Sequence, residues 1–373
     1  MRIVVAPDKF KGCLTAAEVA DAVADGLLEE RPELEITRVP IADGGDGTVA
    51  AALSRGFGKV TIEAAGPTGV PGQVSYAKDS HRAVIELAGV CGLNLLPDRR
   101  PDPLGASTYG LGEVLRHGLE HGIRDIVLGV GGSASTDGGA GMAQALGARL
   151  LDTNGAELPR GGAALTSLHS LDLAGLRQTV AGAHLVVASD VDNQLLGPRG
   201  AAAIFGPQKG ASPDDLRRLE EGLTRWAQVV TDAVGHDYAE QPGAGAAGGT
   251  GFAALALLNA ELRPGIELIL EMFRFPDTVV GADLVVTGEG SLDEQSLTGK
   301  APVGVARAAA RAGVPVVAVA GRTGLNQNQL ERAGIVAAYP LSDLEPDPAR
   351  SMANAPALLR LVGRRIAVEQ LSP

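Results

Sequence analysis

Asp125-Ile126-Val127-Leu128-Gly129-Val130 runs directly into Gly131-Gly132-Ser133-Ala134-Ser135-Thr136-Asp137-Gly138-Gly139. A short apolar run that ends in small polar residues, with helix-forming sequence beyond, is the pattern of a parallel β-α unit. It recurs along the chain. RIVVAP (2–7) leads into Asp8-Lys9-Phe10-Lys11-Gly12, and ITRVPI (36–41) into Ala42-Asp43-Gly44-Gly45-Asp46-Gly47-Thr48. DLVV (283–286) leads into Thr287-Gly288-Glu289-Gly290-Ser291-Leu292-Asp293, and PVVAVA (315–320) into Gly321-Arg322-Thr323-Gly324. Parallel α/β sheets bind ligands outside the carboxyl ends of their strands. Glycine lets backbone N–H groups approach a phosphate, and the next helix points its positive end there. Several such loops on one edge describe a crevice for a phosphorylated ligand.

The chain has 373 residues and a formal net charge of −12. That length suits two domains, and the charge argues against nucleic acid or an anionic membrane as partner. Hydrophobic residues make up 45% but aromatics only 3%, so the core is expected to be built of Ala, Val, Leu and Ile. Six lysines occur, and four of them (Lys9, Lys11, Lys209 and Lys300) lie in Gly-rich loops, while Arg supplies the remaining positive charge. Lys is a compact cation suited to meeting a phosphate. The two cysteines, Cys13 and Cys91, form no CxxC and imply neither a disulfide scaffold nor a zinc site. No signal peptide or membrane-spanning stretch is visible, and a cytoplasmic protein is expected.

The periodicity opens as β-α-β-α, with a helix from Thr15 capped by Thr15 and Glu18. Three short runs at 59–64, 72–77 and 83–87 then read as an antiparallel meander. Ser212 is the expected N-cap of an amphipathic helix over 213–234, and 201–205 reads as a further strand. The fold expected is α/β: a Rossmann-like parallel-sheet domain of 1–58, 104–147 and 281–373, and a mixed α/β domain of 59–103 and 148–280, with a cleft between them.

Gly129-Val130-Gly131-Gly132-Ser133-Ala134 matches G-x-G-x-x-A, but the acidic residue at the right distance, Asp152, sits in a turn-like DTNG. A nicotinamide site is therefore not expected, and the loop reads instead as a phosphate cradle. Gly243-Ala244-Gly245-Ala246-Ala247-Gly248 has no strand before it. Walker A and protein-kinase signatures are absent. The acidic loop residues Asp8, Asp43, Asp46, Asp137, Asp190, Asp192, Glu289 and Asp293 would repel phosphate unless a cation intervened, and Mg²⁺ resolves this. Asp190 and Asp192 end a strand, where one could take a proton from a hydroxyl. His117 and His121, at i and i+4, read as a solvated helix face.

Assembled in order, APDKFKGCLTAAEVA, PIADGGDGT, GVGGSASTDGGAGM, ASDVDNQLLGPRGAAAIFGPQKGA, PGAGAAGG and DLVVTGEGSLDEQSLTGKAPVGVA resemble the bacterial type I glycerate kinases nearly end to end. The resemblance implies two α/β domains and ATP-dependent phosphorylation of D-glycerate at the 2-hydroxyl, giving 2-phosphoglycerate. This chain departs from the family at Lys9 and Cys13 (usually Ser), Asp46 (usually Glu), Gln194 (usually Pro) and Ser291 (usually Arg).

The roles expected follow from both readings. Asp190 is the general base, and Lys300 and Lys11 neutralise charge during transfer. Gly131, Gly132, Ser133, Ser135, Gly288, Gly290 and Lys9 receive ATP. Lys209, Arg322 and Asp192 bind the hydroxy acid. Asp43, Glu289 and Asp293 hold Mg²⁺. The substrates are ATP and D-glycerate, acting on a monomer or homodimer. The competing readings are a kinase for another small hydroxy acid and a non-catalytic sensor of a phosphorylated metabolite.

Overall fold

The computed structural model describes residues 1–371, and of Thr298 the backbone alone. Its strands are β1 (Arg2–Pro7), β2 (Glu35–Arg38), β3 (Gly58–Ala65), β4 (Pro71–Lys78), β5 (Arg82–Glu86), β6 (Asp125–Gly129), β7 (Arg149–Leu151), β8 (Ser170–Asp172), β9 (His184–Ala188), β10 (Glu261–Arg263), β11 (Leu284–Leu292), β12 (Val316–Thr323) and β13 (Ala337–Pro340). The chain divides into two compact units, one of 1–43, 50–56 and 266–373, the other of 44–49 and 57–265.

The first unit is built on a five-stranded sheet of order β13-β12-β11-β1-β2, parallel throughout. Its strands are short β-branched runs such as Ile3-Val4-Val5, fully buried as parallel strands covered on both faces require. The helix Ala16–Glu30 begins at Thr15, whose hydroxyl accepts from Glu18 N while the Glu18 carboxylate accepts from Thr15 N. That is the capping box read from the sequence. This helix packs on the last one, Ala355–Gln370, through glycines: a Cβ at Gly26 would overlap the Arg360 carbonyl, and one at Gly363 the Val23 carbonyl.

The second unit carries a six-stranded sheet of order β10-β9-β6-β5-β4-β3. The strands β5, β6, β9 and β10 are parallel, while β3, β4 and β5 form the expected antiparallel meander. The helix Pro213–Val234 is capped by Ser212, and it buries Trp226 against Phe252.

Two expectations are corrected here. Segment 104–147 belongs to the second unit, not the first, because β6 hydrogen-bonds to β5 and β9. An apolar β-α run has the same appearance in either sheet, and only strand pairing assigns it. Residues Ala201–Phe205 are helical rather than extended, since the run Ala-Ala-Ala-Ile follows a Gly200 start and buries Ala201 and Ala202 on one side. The helix-forming preference of alanine wins over the apolar run.

Because the two helices of the first unit meet backbone to backbone, Gly26→Val should force them apart. It is expected to lower the urea-unfolding free energy of that unit by about 1–3 kcal/mol; an unchanged midpoint would refute the close approach.

Candidate active site

In the first unit the strand order reverses between β1 and β11, since β2 lies on one side of β1 and β11 to β13 on the other. Ligands of open parallel sheets bind at such a switch point, outside the carboxyl ends. Asp8 is the first residue after β1. It is 7% exposed, its carboxylate accepts from Lys9 N at 2.6 Å, and Lys9 Nζ stands 3.5 Å away. Burial raises its pKa to about 7; Lys9 opposes the rise, and Asp43 and Glu289 reinforce it. Glu289, on β11, is raised by burial, against the opposing effects of Ser296 and Lys300 and with Asp293 and Asp43 adding to it. Its Oε1 is buried without a hydrogen-bond partner. Asp43 and Glu289 thus stand close enough to Asp8 to disfavour its ionised form, and Asp43 acts on Glu289 in the same way.

Among the described residues, no three His, Cys, Asp or Glu side chains stand where they could hold a metal ion by themselves. The expected trio of Asp43, Glu289 and Asp293 is accordingly not a ready-made cage. Asp293 is engaged locally, accepting from Gln295 N at 3.0 Å and Ser291 Oγ at 3.3 Å. The carboxylate oxygens that remain are hard donors of the kind Mg²⁺ uses one or two at a time.

The other residues expected here fall as follows. Lys300 precedes the helix Ala301–Arg311, with Nζ 3.4 Å from Gln295 Oε1. Arg322 donates to Ser291 Oγ at 3.2 Å across the β11–β12 ladder, and Lys11 is exposed. Gly288 and Gly290 are not in a loop, because β11 continues to Leu292 and pairs with β12 on both sides of Gly290, from Val285 to Glu289 and again at Ser291 and Leu292. The tract GEGS lacks strand propensity, but a long β12 supplies its partners, so tertiary pairing overrides it.

In the second unit, β5, β6 and β9 deliver Glu86, the 130–139 loop and Asp190 to the same edge of the sheet. Asp190 is exposed and accepts from Gly265 N at 2.9 Å through one oxygen. Asp192 lies apart, turned toward Arg199 at 3.8 Å. Gly131 and Gly132 reach the surface, whereas Ser133 is 5% exposed and Ser135 is fully buried. The loop folds inward because Leu93 N donates to Gly132 O and Ala134 N to Cys91 O.

Asp137, also fully buried, accepts from Ser107 Oγ, Thr108 N, Thr108 Oγ1, Gly139 N and Gly141 N at 2.8–3.2 Å. Lys209 is 1% exposed. Its ammonium donates to Ser133 Oγ at 2.8 Å and to the Ser135 carbonyl. Burial pushes its pKa down to about 7, with Asp137 opposing. It does not meet solvent as a substrate-gripping lysine would.

Two residues gain a role that no loop motif announced. Asp8 was one acid among many in sequence. Glu86, the single acid in the apolar stretch 83–91, accepts from Gly47 N at 2.7 Å and Val49 N at 3.0 Å. Burial raises its pKa to about 7, and Asp46 adds to the rise. It holds the Gly-Asp-Gly-Thr loop in place. His117 and His121 stack at 4.1 Å, but of the two only His121 is exposed. His117 is half-buried with Nδ1 3.1 Å from the Tyr76 hydroxyl, so the pair is not the solvated face expected. Asp152 closes a turn, as expected, by accepting from Asn154 N and Ala156 N.

The family model described as the glycerate kinase family matches residues 3–370. A glycerate kinase of Halalkalibacterium halodurans is 42% identical over 98% of this chain and 97% of its own length. The glycerate 2-kinase of Escherichia coli (strain K12) is 42% identical over 91% of this chain and 90% of its own. A crystal structure of a Salmonella typhimurium LT2 protein, provisionally assigned as glycerate kinase 2, superposes with a TM-score of 0.87 at 39% identity, covering 99% of this chain and 97% of that one. This likeness runs from end to end through both α/β units, and the chain belongs to the glycerate kinase family.

Proposed function

We propose that the protein transfers the γ-phosphoryl group of Mg-ATP to the 2-hydroxyl of D-glycerate. The observation that carries this reading is the acid cluster of Asp8, Asp43 and Glu289 at the switch point of the first unit, beside Lys9 and Lys300. A site built only to hold an anion gains nothing from three carboxylates. A site for a phosphate–metal complex needs both signs. The E. coli relative, named as a 2-kinase, supports the position of transfer.

Asp43 and Glu289 would hold Mg²⁺, with Asp8 beside them, and the bound ion would neutralise phosphate charge. Lys9, Lys11 and Lys300 supply positive charge for the phosphates and the hydroxy acid. Gly131 and Gly132 offer backbone N–H groups at the edge of the second sheet. Asp190, exposed beyond β9, takes the proton of the attacking hydroxyl. In balance, the hydroxyl oxygen gains a bond to phosphorus, the bond from phosphorus to the ADP oxygen breaks, and the proton passes to Asp190. Positioning and charge neutralisation account for most of such a reaction's acceleration.

A coupled ADP-release assay with Mg-ATP and D-glycerate should show turnover, and phosphorus NMR should identify 2-phosphoglycerate. Binding of D-glycerate without ADP release would overturn the reading in favour of a sensor. Asp190→Ala should lower kcat by about 100-fold or more; unchanged turnover removes Asp190 from the role of base.

Asp8 offers a test without turnover. Its folded pKa of about 7 lies above its ordinary 3.8, so the folded protein binds the extra proton. Its contribution to stability is therefore present below about pH 4 and is lost as pH rises to about 7, by an amount on the order of 4 kcal/mol at most. Asp8→Asn should flatten the fall in Tm between pH 4 and 7 and raise Tm at pH 8 in the absence of Mg²⁺. Added Mg²⁺ should raise the wild-type Tm at pH 8 more than that of the variant. Parallel Tm curves for the two proteins would exclude Asp8 from the cluster.

A further inference from the structure

Lys209 is a fully buried lysine whose ammonium has no reach to the surface, although the sequence places it in an exposed-looking Gly-rich segment. Its two hydrogen bonds go to Ser133 Oγ and to the Ser135 carbonyl, both inside the loop that follows β6. The opposite wall is the start of the helix Ala246–Leu258, where Ala247, Gly248 and Gly249 take positive φ values of 52°, 69° and 90°. Alanine rarely adopts that conformation, and three such residues in succession persist only where the surroundings hold them. The reason for glycine at 248 is visible: a Cβ there would overlap the Ser135 carbonyl and stand 2.8 Å from Lys209 Nζ. Gly248 O in turn accepts from Gly138 N at 3.0 Å, and Trp226 Nε1 donates to Gly138 O at 3.0 Å. Lys209, the 133–139 loop and the left-handed turn therefore form one junction. Ser135 Oγ and Thr136 Oγ1 are buried in it without hydrogen-bond partners, so at Ser135 the lysine's bond to the carbonyl is the side-chain tie that holds the loop.

We propose that Lys209 is a positioning residue, a latch that clamps the inner half of the 131–139 loop against the 247–249 turn and so presents Gly131 and Gly132 to the phosphate-bearing ligand, while itself touching no substrate. Removing it leaves the Ser135 carbonyl without its donor in a buried place, which frees the loop rather than the ligand. A substrate-binding lysine at this position would instead have to be reachable.

The first test uses the wild-type protein and needs no activity, so it stands even if the phosphoryl-transfer reading, on which the kinetic test rests, should fail. Reductive methylation with formaldehyde, followed by peptide mass spectrometry, should label Lys209 at least about 10-fold more slowly than the exposed Lys11 and Lys59, equally with and without D-glycerate. Labelling at the rate of Lys11, slowed by D-glycerate, would overturn the proposal. The second test is kinetic. Lys209→Met should lower kcat about 10- to 100-fold with KM for D-glycerate changed less than about 3-fold, and should increase acrylamide quenching of Trp226, the single tryptophan. Gly248→Ala keeps the lysine and strikes the latch, and should give the same pair of changes. A KM for D-glycerate raised more than about 30-fold at unchanged kcat and unchanged quenching would make Lys209 a substrate ligand instead.

Discussion

Parallel pairing is the constraint on which everything else rests. In each unit the central strands run in one direction, so each sheet sends the loops that follow them to a single edge. Residues far apart in sequence, such as Asp8, Asp43 and Glu289, meet because β1, β2 and β11 are neighbours that end together. Glu86, the 130–139 loop and Asp190 are gathered by the same geometry in the second sheet. Hydrogen bonding along the ladders, rather than any side-chain contact, creates the sites, and the side chains then exploit the placement.

The electrostatics of the two units differ in kind. In the first, burial drives Asp8 and Glu289 toward their neutral forms at the sheet edge, and Asp43 adds to the effect on both. In the second, the charges are used internally. Asp137 is saturated by five donors and organises the segment from Ser107 to Gly141. Lys209 is buried at a cost to its protonated form and is turned to the loop's own oxygens. A phosphotransferase needs both services: charge that a ligand completes, and a rigid backbone that does not reorganise when the ligand arrives.

Local signals were legible in the chain wherever a few neighbouring residues settle the structure. Thr15 with Glu18, and Ser212 before a proline, announced their helices because the cap bonds span only three residues. The meander over β3 to β5 was visible for the same reason, as was the turn at Asp152. Where the competing partners are remote, local reading failed. The 201–205 run became a helix because its burial is one-sided, and Gly288 to Ser291 became strand because β12 extends alongside. Assignment of 104–147 to a unit required knowing which strands β6 would join.

The residue types at the strand ends, their glycines and acids, and the order of the segments were determined by the sequence alone, and with them the α/β class and the family. Burial was decided only by the tertiary structure. Lys209 and Lys11 look alike in a string of letters, yet one is sealed behind Gly248 and the other faces solvent. Asp8 and Asp192 are both loop acids, yet one sits among other carboxylates and the other beside an exposed arginine. The physical reason is that a charge's behaviour depends on its desolvation and its neighbours in space, and neither is a property of the residue or of its neighbours in the chain.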